Sequence, residues 1–140
     1  MTDSAVVLRK LTSLKEHVSR IRRRRAIDLS AFRVDTDRQD AMSMSLLVAI
    51  QDALDIALHM ASDEGWGVPA SYADAFALLA SHGVIDAALS ASLANMATLR
   101  NRLAHGYASV DMERIWTELP TGIDALEAFS SAVAARLTPL

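Results

Sequence analysis

The chain has 140 residues, 51% of them hydrophobic, with five glycines, three prolines and no cysteine. Such a length and composition predict a single domain over residues 1–140, rich in helix and able to bury a full core, and the lack of cysteine excludes disulfides and thiolate metal sites. A net charge of −3 gives the molecule as a whole no attraction for a polyanion, so any nucleic-acid contact must come from a local basic surface.

Val7, Leu8, Leu11, Leu14, Val18 and Ile21 recur at three- and four-residue intervals, predicting a first helix from about Ser4 to Ala26. Arg9 and Lys10 follow Val6 to Leu8 at once, so no apolar leader is expected there. Arg20, Arg22, Arg23, Arg24 and Arg25 fall in the last turns. Cations at a helix C-terminus are favoured by the helix dipole, and the same run could instead bind RNA or an acidic partner.

The segment Asp28–Asp40 is polar without clear period and reads as a loop with at most a short turn. A second, longest helix is expected from about Asp37 to Ser62, with Leu46, Leu47, Ile50, Ala53, Leu54, Ala57 and Met60 on its apolar side. Its region Met42–Met60 carries Gln51, Asp52, Asp55 and His59, so no uninterrupted membrane span of roughly 20 residues is expected. A soluble, cytoplasmic protein is the expectation. Asp55 and His59 stand at i, i+4, either as a local helix pair or as the polar wall of a cleft.

Gly65 to Pro69 ends that helix. Ser71 is a plausible N-cap for a short helix, Tyr72–Ser81, closed by His82 and Gly83; His82 reads as a C-terminal capping group rather than a catalytic one. A further helix is expected from Ile85-Asp86 to about Ala104, with Leu89, Leu93, Met96 and Ala97 inside. Asp111 then caps a short helix Met112–Leu119, Pro120-Thr121-Gly122 breaks the chain, and a last helix runs Ile123–Leu137. The predicted architecture is all-α: four main helices in a bundle, with short additional ones.

The densest chemistry is Leu99-Arg100-Asn101-Arg102-Leu103-Ala104-His105-Gly106-Tyr107. Histidine can move a proton near neutral pH, and arginine is always charged and grips phosphate. On a regular helix Arg100 and His105 point about 140° apart. They converge only if the arginine reaches across or the helix loosens before Gly106. The bland alternative is that Arg100, Asn101 and His105 cap the helix and Tyr107 is a half-buried anchor.

This motif, with Asp55 to His59, Val68 to Tyr72, Phe76 to Leu79, Gly83 to Ile85 and Leu93 to Met96 upstream, resembles the HepT-like toxins of the HEPN superfamily over most of residues 40–115. The resemblance implies a HEPN four-helix bundle and a homodimer with the motif in its cleft. It implies a metal-independent RNase with no cofactor, an RNA rather than DNA substrate, and no membrane partner. It also implies a partner, a minimal nucleotidyltransferase antitoxin, able to adenylylate the motif tyrosine. Carried over, Arg100 and His105 are the catalytic pair, Asn101 and Arg102 contact substrate, and Tyr107 is the modified residue. The competing reading is a non-catalytic helical subunit that docks a nucleotidyltransferase or a nucleotide.

Overall fold

Six helices and no strand make up the described residues of the computed structural model, which are 4–25, 27–105 and 110–137. They are α1 Ser4–Arg25, α2 Leu29–Val34, α3 Thr36–Asp63, α4 Tyr72–Ser81, α5 Ala87–His105 and α6 Met112–Leu137. α3 is the axis, since every other helix packs against it. Its alanines 49, 53, 57 and 61 are buried on one line, and small side chains at i, i+4 spacing let neighbouring helices come close. By length and composition α3 could cross a membrane, but 61% of its most apolar window is buried in the bundle, so its apolarity is that of a core helix.

α1 buries Val7, Leu11, Leu14, Val18 and Ile21, alternating steps of four and three, which keeps one seam against α3 along its whole length. Lys10 meets Asp55 while Arg24 meets Ser45, so the two helices run antiparallel. Phe76 of α4 and Phe129 of α6 meet edge to face with ring centroids 5.8 Å apart, closing the far side of the core.

Asp28–Asp40 is not a loop. Asp28 accepts from the Ala31 N–H and starts α2, and Asp35 both ends α2 and accepts from the Arg38 N–H to start α3. The Gln39 amide donates to the carbonyls of Phe32 and Arg33, satisfying the end of α2. Phe32 is the one buried side chain of α2. Arg33 forks onto Glu113, pinning α2 to α6, and holds that carboxyl below its usual range.

The predicted break at Pro120-Thr121-Gly122 is also absent, because α6 runs unbroken through it. Proline removes the N–H that would bond the carbonyl of residue 116. Arg25 Nε donates to the Trp116 carbonyl instead, at 2.8 Å, with its guanidinium over the indole at 4.2 Å. Gly122 serves packing rather than a turn: a Cβ there would meet the Met96 sulfur at 2.9 Å, so α5 and α6 approach closely. At α4 the sequence expectations hold. Ser71 Oγ accepts from the Asp74 N–H, His82 Nδ1 lies 2.9 Å from the Leu78 carbonyl, and Gly83 takes the left-handed φ of 76°.

The arginine run becomes a set of staples. Arg20 pairs with Glu16, Arg22 with Glu127 and Asp124, Arg24 with Ser45, and Arg25 with Trp116. If Arg25 replaces the missing proline bond, Arg25→Ala will destabilise the chain by about 1–2 kcal/mol. In a Pro120→Ala background, where residue 120 regains its N–H, the loss will be clearly smaller. A double-mutant cycle by urea unfolding measures this, and equal losses in both backgrounds would refute it.

Candidate active site

Arg100 lies in the last third of α5, half-buried, and its side chain is held from three sides. Nε donates to Gln51 Oε1 of α3 at 2.9 Å, Nη1 donates to Asn101 Oδ1 at 3.2 Å, and the guanidinium carbon sits 5.9 Å from the centre of the Tyr72 ring. Gln51 is fixed in turn, because its Nε2 donates to Asp55 Oδ1 at 2.9 Å. Asp55 Oδ2 accepts from Lys10 Nζ of α1 at 3.2 Å. A chain of polar contacts therefore runs from the motif, across α3, to α1.

The Asp55/His59 pair is not formed. Asp55 turns back one turn to Gln51, and His59 Nε2 lies 3.0 Å from Asp63 Oδ2, one turn on. Asp55 thus joins Arg100 through Gln51, while His59 sits in a separate pair. Asn101 and Arg102 are exposed, and so is His105, the final residue of α5. The helix does not loosen before position 106. Among the described residues no contact joins Arg100 to His105 within one chain, in keeping with their separation of about 140° around the axis. Tyr107 lies outside the described residues.

Two supporting groups escaped the sequence reading: Tyr72, the ring beside the guanidinium, and Lys10, the cation that occupies Asp55. The signal for Gln51 and Asp55 was present as i, i+4 polar positions on an otherwise apolar helix. The link to Arg100, 49 residues away, was not.

Under this network lies a buried carboxyl. Asp52 is almost fully shielded, with Lys10 Nζ 4.0 Å from Oδ1 and no hydrogen-bond partner for Oδ2. Burial pushes its pKa above the ordinary value, against the opposing pull of Ser13, Lys10 and His17. His17 Nδ1 is likewise buried and unbonded.

The family model for HepT-like ribonucleases matches residues 14–133. The chain belongs to the HepT-like ribonuclease family. The mRNA nuclease HepT of Shewanella oneidensis is 28% identical over 131 residues, covering 94% of this chain and 98% of that protein. The tri-AMPylated Shewanella oneidensis HEPN toxin, solved in complex with an MNT antitoxin, superposes with a TM-score of 0.85 at 28% identity, covering 96% of this chain and 99% of that one. A toxin–antitoxin structure with AMP-PNP gives 0.87 at 26% identity, covering 94% and 99%. In this HepT-like chain Arg100 to His105 thus lie on α5, with Arg100 anchored to α3.

The raised Asp52 pKa has a stability consequence. The folded protein holds that proton more tightly than the unfolded chain does. The stability this adds is fully present below the ordinary carboxyl range and is lost as pH rises through the raised folded value. Asp52→Asn stays neutral throughout. Its urea midpoint relative to the parent chain is therefore expected to be higher at pH 7 than at pH 4. A difference that is the same at both values would show that Asp52 titrates as in the unfolded chain.

Proposed function

We propose that this chain is the toxin of a toxin–antitoxin pair, an RNase that cuts without a metal ion in a cleft built from two copies, and that a nucleotidyltransferase silences it by adenylylating Tyr107. The carrying observation is the anchored Arg100: an arginine tethered through neutral Gln51 keeps its full charge while its direction is fixed. Two of its five N–H donors are engaged among the described residues, and the remaining ones suit a phosphate.

In this reading His105 takes the proton of a ribose 2′-hydroxyl, whose oxygen attacks the adjacent phosphorus. The 5′-oxygen leaves with a proton and the product is a 2′,3′-cyclic phosphate. Arg100 stabilises the negative charge that builds on the phosphoryl oxygens. One chain has one motif histidine, and Arg100 and His105 diverge on α5. A second copy solves both problems, with the partner subunit's His105 as the acid for the leaving oxygen. In this reading Asn101 and Arg102, both exposed, contact the RNA.

The antitoxin assignment is supported by the superposed relative, which is a toxin in complex with an MNT antitoxin and tri-AMPylated. For this chain, the Tyr107 hydroxyl would attack the α-phosphorus of ATP and release pyrophosphate. The added adenylate brings negative charge beside the motif cations and blocks the phosphate site.

Cleavage of a labelled RNA panel in EDTA tests this reading with the parent chain, His105→Ala and Arg100→Ala. The parent is expected to cut and both variants to lose at least about 100-fold. Silence of all three, on protein shown by intact mass to be unmodified, would favour the non-catalytic binding subunit. Incubation with the nucleotidyltransferase and ATP is expected to add an adenylate mass to the parent and none to Tyr107→Phe. An equal gain in both would place the modification elsewhere.

A further inference from the structure

Beside Arg100 a groove of about 530 Å³ runs between the start of α4 and the outer face of α5. Leu58, Tyr72, Ala94, Ala97, Thr98 and Asn101 are among its walls, and no charged side chain lines it. Its volume is that of a small-molecule site. Its rim touches the anchored arginine twice: the Tyr72 ring lies 5.9 Å from the guanidinium carbon, and Asn101 Oδ1 accepts from Arg100 Nη1. A neutral slot walled by alanines and one aromatic ring thus opens directly onto a phosphate-seeking cation.

That juxtaposition matches one piece of chemistry. An unpaired nucleotide offers a phosphate to a guanidinium and, next to it, a flat uncharged ring to a neutral wall with an aromatic side chain. Resting on the RNase reading above, we propose that this groove receives the nucleobase adjoining the phosphate held by Arg100. Tyr72 and Asn101 are then the residues that meet the base.

The geometry also fixes what the groove offers a base. Arg100 can only donate, so the Asn101 oxygen must face it and the amide NH2 is left for the groove. Thr98 Oγ donates to the Ala94 carbonyl at 3.3 Å, and Ser71 Oγ already accepts from the Asp74 N–H. The Asn101 amide is therefore turned to meet an acceptor on the base, and the Ser71 and Tyr72 hydroxyls on the same wall can still donate. Every base carries such an acceptor, so the groove suits a base as such rather than one base among the four.

The test uses the full chain with His105→Ala, so that RNA is not consumed, and measures binding of fluorescent oligouridylate and of an abasic oligonucleotide of the same length by anisotropy. Oligouridylate is expected to bind more tightly. Thr98 is exposed, so Thr98→Trp obstructs the groove without disturbing the core. It should weaken oligouridylate binding roughly tenfold and abolish the preference. Ala94→Phe obstructs from the inner wall and should do the same, while Tyr72→Phe keeps the ring and should retain the preference. Unchanged binding and preference in both obstructed variants overturns the groove assignment, and cleavage by the parent chain then shows that the RNase reading survives it. A change in sedimentation with base preference intact assigns the groove to a second copy and also overturns it. If the unmodified parent neither binds nor cuts any RNA, the RNase reading fails and this inference fails with it.

Discussion

The arrangement around the motif depends on how a single guanidinium is held without being neutralised. A carboxylate at position 51 would pair with Arg100 and cancel the charge a phosphate needs. The Gln51 carbonyl directs the guanidinium equally well and leaves its charge intact. The acid that fixes Gln51, Asp55, stands one contact further back and is met by Lys10 rather than by the arginine. The charges are thus spread over three helices, with Lys10 of α1 beside Asp55 of α3 and Arg100 of α5 bonded only to neutral side chains among the described residues. Because the relay crosses the α1–α3 seam, the direction of Arg100 is tied to the packing of the core itself.

That packing has a clear hierarchy. Burying an aliphatic or aromatic side chain contributes about 1.5–3 kcal/mol, and α1 alone buries Val7, Leu11, Leu14, Val18 and Ile21. Exposed ion pairs such as Arg22 with Glu127 contribute at most about 1 kcal/mol. The arginine run therefore does not hold α1 in place. It decides how the end of α1 meets α3 and α6. Most of the run is engaged within the chain, which removes much of the case for a basic track made of those residues.

Much of the fold was legible in the sequence because its signals are local. The 3.6-residue period of α1, the Ser71 cap and the Gly83 stop act over one or two turns, and the structure keeps each of them. α2 escaped because six residues with one buried side chain show no period; its existence depends on the caps at Asp28 and Asp35. The unbroken α6 escaped because the rule for proline counts a lost bond, whereas the replacement donor lies 91 residues earlier in the chain. At the site, the residue types and their spacing on α5 were readable. Which acid turns toward which neighbour was not: Asp55 could bond forward to His59 or back to Gln51, and it turns back to Gln51 where Lys10 of another helix also meets it.

Arg25 and Pro120 carry a further consequence, for the history of the sequence rather than for its physics. A lineage can replace the proline at any time, because the helix then closes its own bond and depends less on Arg25. Replacing the arginine first strands the Trp116 carbonyl inside a helix that cannot satisfy it. Descent through these two positions is therefore one-way. Relatives that lack both residues are expected to have lost the proline earlier, and a proline at 120 without a donor at 25 should be the rarest of the four combinations.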